Sequence, residues 1–254
     1  MRAGRLNAKA AKISLLGVLG ALCVLSLSCS GATTLFRQYE YEEEVYLSLD
    51  GTATVYVNSS LAALNALRGT AFDASPTARV DTAAVRALYT GPGTRVTRVT
   101  QSRRNNRRYA HVRLDVDDIR RLAGVAPFAW STYRFRQDGN LFVYQQTVGA
   151  SAGREAGREA STAGWNGREI VAFRLHLPSR IRYHNTGREV GRGNILVWEQ
   201  PLTDRLNGVG LALDARMDAQ SILYRTLWLF AVVFLVVAGV FVLIIWWVMR
   251  RGTK

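Results

Sequence analysis

The sequence is poor in cysteine and histidine. Its two cysteines, Cys23 and Cys29, both precede residue 30. The body of the chain therefore has neither a disulfide framework nor a cysteine-based zinc site. Its three histidines, His111, His176 and His184, are too widely spaced to predict a metal cluster, so we expect them on strand surfaces. We accordingly expect no bound metal and no cofactor.

Lysine is missing from almost the whole chain. Between Lys12 and Arg250 there are 26 arginines, no lysine and all 19 acidic residues, which leaves a net charge of +7. An arginine-only composition is typical of a GC-rich bacterial genome. It also suits the binding of phosphates or anionic sugars, because the planar guanidinium matches their oxygens. The sequence leaves both interpretations open.

The N-terminal segment has the pattern of an export signal. Four basic residues lie within residues 2–12, and an apolar run over residues 13–27 follows. As a helix this run would measure about 22 Å, shorter than the ~30 Å hydrocarbon core of a bilayer. We therefore predict that residues 1–28 are a signal peptide.

Cys29 lies where a bacterial lipoprotein signal would be cleaved. The segment Leu25-Ser26-Leu27-Ser28-Cys29 resembles a lipobox, with a small residue directly before the cysteine. Cleavage before Cys29 would make this thiol the lipidation site. Ordinary signal-peptidase cleavage after the Ser-x-Ser sequence is the alternative.

The C-terminal segment predicts a membrane span. Leu227 to Met249 are 23 residues without a charge, and 16 of them are Leu, Ile, Phe or Val. A helix of that length reaches about 34 Å and can span a bilayer. Basic residues follow at once, which places the tail in the cytoplasm. We therefore divide the rest of the chain into an extracytoplasmic domain (29–223), a transmembrane helix (224–249) and a cytoplasmic tail (250–254), in a single-pass protein of the cytoplasmic membrane.

Alternating apolar residues predict strands in the domain. Val45 and Leu47 precede Asp50-Gly51, and Val55 and Val57 follow it, so a three-residue loop would place both pairs on one face. Asn58 or Ser59 is expected to cap a helix that ends at Gly69, and Asp81 a second helix. We expect further hairpins over residues 94–116 and 130–148. The fold class is α+β, with antiparallel hairpins forming a sheet and a few packed helices.

The last strands carry a resemblance. The segment 170–178 ends in Pro178, Asn185 follows, and Gly193-Asn194 opens a stretch that closes on Trp198. With Cys29 and the Asp50-Gly51 turn, this pattern resembles the LppM-type bacterial envelope domain family, in which a closing transmembrane helix is common. The resemblance implies an envelope protein with a suggested role in lipid binding, and it brings no enzyme residues.

The hairpin over residues 94–116 has an arginine-rich tip. Four arginines flank Asn105-Asn106: Arg103, Arg104, Arg107 and Arg108. Near an anionic surface each would contribute about 1 kcal/mol of attraction, so these residues are our candidates for anionic headgroup binding. The alternative is a solvated tip that charge keeps soluble.

Aromatic residues cluster in the next hairpin. If they line a cavity they form an apolar lipid pocket, and if they pack together they form core. A two-residue loop at Asp138-Gly139 would pair Phe135 with Phe142 and Tyr133 with Tyr144. The candidates are Trp130, Tyr133, Phe135, Phe142 and Tyr144.

No catalytic pattern holds up in the sequence. The segment 149–153 matches G-x-S-x-G, but no helix with an apolar stripe follows it. The run Glu42-Glu43-Glu44 lies on a predicted strand, whose successive side chains point to opposite faces and cannot converge on one site. The pair Asp117-Asp118 is explained by a helix cap.

We expect no enzyme. The predicted function is a membrane-anchored domain that binds lipid or an anionic envelope glycoconjugate; the alternative is a non-catalytic module that docks another envelope protein. Nucleic acid is not an expected partner outside the cytoplasm.

Overall fold

The computed structural model describes residues 37–151, 164–187, 190 and 193–251. The chain divides into two compact units, Met1–Gln38 and Tyr39–Lys254, and the second holds nearly all of the described residues. The predicted signal peptide, Cys29 and the last residues of the tail lie outside the described residues. They therefore remain predictions from the sequence.

Six strands form a first sheet, sheet A, in the order β3-β4-β2-β1-β7-β9. They are β1 (Gln38–Leu47), β2 (Ala53–Ser60), β3 (Thr94–Arg104), β4 (Arg107–Val116), β7 (Glu169–His176) and β9 (Ile195–Pro201). The pairs β1–β2, β2–β4, β3–β4 and β7–β9 are antiparallel. Across the remaining boundary, Glu42 contacts Arg174 and Glu44 contacts His176. Residue numbers rise together along β1 and β7, so these two strands run in the same direction.

Four antiparallel strands form a second sheet, sheet B, in the order β5-β6-β10-β8. They are β5 (Ser131–Asp138), β6 (Leu141–Val148), β8 (Ser179–His184) and β10 (Leu211–Ser221). Strand β8 begins directly after Pro178, and β10, with 11 residues, is the longest strand of this sheet.

Short helices close the ends of the sheets. They are α1 (Leu61–Arg68), α2 (Thr82–Tyr89), α3 (Leu202–Leu206) and two 3₁₀ helices (Ile119–Gly124 and Ala126–Phe128). The cap of α1 is Ser60, whose hydroxyl accepts from the Ala63 N–H, and not Asn58 or Ser59. Asn58 and Ser59 lie within strand β2, which continues up to the capping residue Ser60. Asp81 caps α2 as predicted, and Asp118 caps the first 3₁₀ helix.

The first hairpin confirms the loop derived from the alternation. Ser48 bonds to Thr52 through the backbone, which leaves Leu49-Asp50-Gly51 as a three-residue loop with Gly51 at φ +90°. Val45 lies opposite Val55, and both are buried. A loop with an odd number of residues therefore places the apolar side chains of both strands on the side of the core.

The aromatic hairpin has a different register from the predicted one. Its two-residue loop is Gly139-Asn140, so Phe135 lies opposite Tyr144 and Tyr133 opposite Gln146. The predicted pairs were wrong by two residues, a shift that leaves every side chain on the same face. Phe135 and Phe142 still stack diagonally, with ring centroids 5.1 Å apart.

One hydrophobic core joins both sheets and the helices. It contains side chains from β1, β2, β4 and β7 of sheet A, from β5, β6 and β10 of sheet B, and from α1 and α2. Two sheets with mainly antiparallel strand pairs and a few packed helices confirm the α+β fold class. The last element is α4 (Ile222–Arg251), which follows β10 directly.

Candidate functional site

Helix α4 is long and apolar enough to cross a membrane. Its candidate membrane span is Thr226–Arg251. The most apolar stretch of this span has a mean hydropathy of 3.1, and none of that stretch is buried inside the protein. Phe234 and Leu235 expose 72 % and 66 % of their surface. An uncovered apolar surface of this length is what lipid would cover. The span predicted from composition is present as one continuous helix.

The pairing of β10 with its neighbours shows which end of the domain lies nearest α4. Close to its junction with α4, Ser221 lies opposite Ser179, and Asp218 lies opposite Leu141. The start of β8 and the β5–β6 turn are therefore at the α4 end. Strand β5 runs toward that end, from Ser131 to Asp138.

Strand β1 runs in the same direction as β5. Tyr41 packs edge-on against Trp130, Glu43 contacts Tyr133, and Gly51 lies against the ring of Phe135. The start of β1 therefore lies at the end of the domain remote from α4.

The arginine-rich tip belongs to that remote end. Arg104 donates to the carbonyl of Tyr39, and Arg107 donates to Glu40, both at the start of β1. A strand of ten residues extends about 33 Å, so the tip is separated from the start of α4 by roughly the length of a strand.

The four arginines of the tip divide into two pairs. Arg103 and Arg104 are exposed on β3, where Arg103 donates to Asn106 Oδ1 at 2.6 Å. Arg107 is only 11 % exposed and bonds to Glu40 at 2.6 Å and Glu169 at 3.4 Å. Arg108 is half-buried and donates to the Pro76 carbonyl at 3.0 Å. Of the four candidate arginines, Arg103 and Arg104 are therefore exposed, whereas Arg107 and Arg108 are largely covered and bonded to the domain.

The acidic run diverges as predicted, but one of its members is not solvated. Glu43 points into the core and is 1 % exposed. Its carboxylate accepts from Tyr133 Oη at 3.0 Å, Gln146 Nε2 at 3.1 Å and Tyr41 Oη at 3.2 Å. Burial raises the pKa of Glu43, against the opposing effects of Arg68 and these hydrogen bonds. No local sequence signal distinguishes Glu43 from its neighbours except its phase with Val45 and Leu47.

Two arginines enclose Trp130 near this carboxyl group. The guanidinium of Arg68 lies 3.0 Å from the centroid of the Trp130 ring, and that of Arg205 lies 4.7 Å from it. Arg205 also donates to the carbonyls of Val209 and Gly149. Burial and the neighbouring Arg68 lower the pKa of Arg205 to about 10. The cluster links α1, α3 and sheet B, which gives it a structural role.

The aromatic pocket candidates lie in or against the core. Tyr133, Phe135 and Tyr144 are buried members of it, and Trp130 and Phe142 pack on its edge. These positions agree with the interpretation in which the aromatic side chains of the hairpin pack together as core. Tyr144 further donates to Gln146 Oε1 at 2.8 Å, which ties it to the Glu43 network.

A groove opens on the outer face of sheet A, on the side away from sheet B. Its volume is about 350 Å³, and it is lined by polar and aromatic side chains. Across its floor, Ser102 Oγ lies 2.7 Å from His111 Nε2, and His111 Nδ1 lies 2.8 Å from Asn58 Oδ1. Asn58 Nδ2 donates to Glu42 at 3.3 Å, and Glu42 pairs with Arg174 at 2.8 Å. We call the hydrogen-bonded chain from Arg174 through Glu42, Asn58 and His111 to Ser102 the outer-face row.

The outer-face row joins residues that are far apart in the sequence. Its members come from β7, β1, β2, β4 and β3 in spatial order. His111 was predicted on a strand surface, and it is there, but its partners depend on the register of three strands. Single-sequence reasoning cannot supply that register before the sheet order is known.

Comparison with known proteins adds one solved structure. No family model matches the chain, and no curated protein matches it. Among solved structures, the NMR structure of the folded domain of LppM from Mycobacterium tuberculosis aligns at 12 % identity with a TM-score of 0.37. The alignment covers 72 % of this chain and 92 % of that chain. The link of this chain to the LppM type remains a resemblance.

Proposed function

We propose that the protein is a single-pass membrane protein of the bacterial envelope, anchored by α4 with its domain outside the cytoplasm. The support is the uncovered apolar span Thr226–Arg251 and the basic residues at its C-terminal end, Arg250, Arg251 and Lys254. Lipidation of Cys29 would add a second anchor. Either anchor keeps the domain close to the envelope.

The orientation can be tested by labelling. A Ser75→Cys variant has its new thiol at an exposed position of the domain, and a Thr253→Cys variant has it in the tail. A membrane-impermeant maleimide should modify the first in cells with intact cytoplasmic membranes and the second only after lysis. The opposite pattern would overturn the topology.

The proposed role of the domain is to bind an anionic envelope ligand through the tip of the β3–β4 hairpin. The observation that carries this proposal is the exposed pair Arg103 and Arg104 at the end of the domain remote from α4. A tip about one strand length from the start of the anchor can reach ligands beyond the headgroups around that anchor. Phosphate-bearing glycoconjugates beyond the bilayer surface therefore suit it better than the lipids next to α4.

The test compares two double variants with the same loss of charge. Arg103→Gln/Arg104→Gln removes the exposed pair at the tip, and Arg134→Gln/Arg136→Gln removes an exposed pair from β5. Full-length protein in zwitterionic nanodiscs is titrated with soluble poly(glycerol phosphate) and, separately, with phosphatidylglycerol vesicles. At about 1 kcal/mol per arginine, the tip variant should bind about 30-fold more weakly, and the control should stay near wild type.

The outcomes separate the possible ligands. Preferential binding of the polymer supports a glycoconjugate, and preferential binding of vesicles supports a lipid surface. Equal losses in both double variants would reduce the effect to net charge and overturn the tip as the site. The docking of another envelope protein is the alternative function, and it would then be the remaining candidate.

A further inference from the structure

The groove on sheet A holds a hydroxyl group, an imidazole and an amide in a specific order. Ser102 Oγ is 2.7 Å from one imidazole nitrogen of His111, and Asn58 Oδ1 is 2.8 Å from the other. Serine, histidine and an orienting acceptor in this order are the arrangement that activates a serine as a nucleophile. The chain contains other serines and histidines, but this pair lies in a groove of about 350 Å³.

The outer-face row determines which nitrogen of His111 carries the proton. Asn58 directs its Nδ2 donor to Glu42, so its Oδ1 faces His111 as an acceptor. An acceptor at that position requires a proton on Nδ1. The lone pair of Nε2 then faces the hydroxyl of Ser102, as a general base requires.

The charge state of His111 suits the same role. Burial and the positive charge of Arg104 lower the pKa of His111, and only Glu42 opposes them. Tyr109 stacks beside the ring with centroids 6.5 Å apart. The imidazole is therefore neutral at pH 7 and free to accept a proton.

The groove also offers access and a positive charge for a developing oxyanion. Ser102 is exposed to solvent, while the imidazole behind it is half-buried. Arg104 lies two residues further along β3, on the same face of the strand, and lines the groove with Ser102. A guanidinium at this position can stabilise negative charge on a carbonyl oxygen that Ser102 attacks.

We propose that Ser102, His111 and Asn58 form a nucleophilic site that hydrolyses short-chain carboxylic esters. Ser102 Oγ forms a bond to the carbonyl carbon while its proton moves to His111 Nε2. Collapse of the tetrahedral intermediate breaks the ester C–O bond, and the alcohol leaves with the proton from His111. Water then gives a proton to His111 Nε2 while its oxygen bonds to the acyl carbon. The bond between the acyl carbon and Ser102 Oγ breaks, His111 returns the proton to Oγ, and the carboxylic acid leaves. A groove of about 350 Å³ is at the small end of ligand sites and fits a short acyl group.

This activity goes beyond the proposed binding function and does not depend on it. Asn58 is a neutral acceptor that orients the imidazole but supplies no negative charge to the imidazolium, so turnover is slow. Covalent labelling is therefore a better first measurement than turnover. The sequence alone predicted no enzyme, and the triad arises only from the pairing of β2, β4 and β3.

The experiment treats full-length protein in detergent with a fluorophosphonate probe, which reacts with activated serines and loses fluoride. Peptide mass spectrometry then identifies the modified residue. We expect the phosphonyl group on Ser102, no labelling of that peptide in Ser102→Ala, and unchanged labelling in Ser75→Ala. His111→Gln retains a polar group opposite Ser102 but removes the base, and it should slow labelling at least 10-fold. Asn58→Ala removes the acceptor opposite His111 Nδ1 and should lower the rate of labelling.

A matched activity assay uses p-nitrophenyl butyrate. Wild type should release p-nitrophenol in a burst of one equivalent followed by slower turnover, and Ser102→Ala should show neither. Labelling of Ser102 no faster than that of Ser75, or an unchanged rate in His111→Gln, would overturn the proposal. If His111→Gln loses its native circular dichroism spectrum, the wild-type comparison of Ser102 with Ser75 decides alone. Binding of poly(glycerol phosphate) by Ser102→Ala should remain at the wild-type level, so the two proposals can fail separately.

Discussion

Glu42 and Glu43 are consecutive residues of β1 in opposite environments. Glu42 faces outward, where Arg174 and Asn58 neutralise and orient it at a partly exposed surface. Glu43 faces inward, and hydroxyl and amide groups surround it in the core. Successive side chains of a strand point to opposite faces of the sheet. Two neighbouring carboxylates can therefore differ completely, with one at the surface and the other in the core. On the outer face of sheet A an ion pair holds the carboxylate, whereas on the inner face several neutral donors hold it.

The largest expected effect comes from an outer-face ion pair that is itself buried. Arg107→Gln would remove the guanidinium that bonds to the carboxylate of Glu40, which is 0 % exposed. Removal of one member of a buried ion pair costs about 3 kcal/mol of the free energy of unfolding. Urea denaturation of the full chain in detergent measures this loss. Arg103→Gln, an exposed arginine of the same tip, should change it by less than about 0.5 kcal/mol. Equal losses in the two variants would contradict the division of the tip.

A somewhat smaller loss is expected at the inner carboxylate. Glu43→Ala would remove the acceptor shared by the hydroxyl of Tyr133 and the amide of Gln146 and would open a void. We expect a loss of about 2 to 3 kcal/mol in the free energy of unfolding, measured in the same way. Glu43→Gln keeps the side-chain volume and one acceptor oxygen, so its free energy of unfolding should decrease by less than that of Glu43→Ala. A larger loss in the Gln variant than in the Ala variant would contradict the network.

The pH dependence of stability sharpens the comparison further. The raised pKa of Glu43 means that the folded protein holds this proton at pH values where the unfolded chain has released it. This contribution is complete below the ordinary pKa of 4.5 and is lost as pH rises through the folded pKa. Glu43→Gln does not titrate, so its stability relative to wild type should increase across that range. Parallel stability curves for the two proteins between pH 4 and pH 8 would contradict this assignment.

The smallest effect is expected at the outer carboxylate. Arg174 is 31 % exposed and Glu42 is 17 % exposed. A pair at this level of exposure contributes about 0.5 to 1 kcal/mol. Arg174→Gln should therefore lower the free energy of unfolding by no more than that, and 1 M NaCl should reduce the difference from wild type. A loss as large as that of Arg107→Gln would show that the row carries the stability of the sheet.

The sequence predicted the features that depend on neighbouring residues. The loop Leu49-Asp50-Gly51, the Asp81 cap and the C-terminal span each follow from a local pattern, and the structure has all three. The register of the aromatic hairpin was wrong because Asp-Gly and Gly-Asn loops differ by one residue on each strand. Both choices satisfy the same alternation, so the sequence alone does not separate them.

The candidate site was less accessible to sequence reasoning than the fold. The arginine tip was identified, but the burial of Arg107 depends on Glu40 and Glu169, which are 67 and 62 residues away. The contact between Ser102 and Asn58 through His111 requires the order of three strands. Such contacts depend on which strand lies next to which, and periodicity carries no information about that.

The arginines of β3 have a consequence for crowding on a membrane surface. β3 is an edge of sheet A, and it carries Arg95, Arg98, Arg103 and Arg104 together with a register irregularity between Val96 and Arg98. Charge and local irregularity on an edge strand prevent its open backbone groups from pairing with another sheet. If α4 anchors the chain in a membrane, as we propose, the chain is confined to two dimensions and meets its own copies far more often than a freely diffusing chain does. The same residues that make the tip basic would thus keep neighbouring domains from joining edge to edge into aggregates.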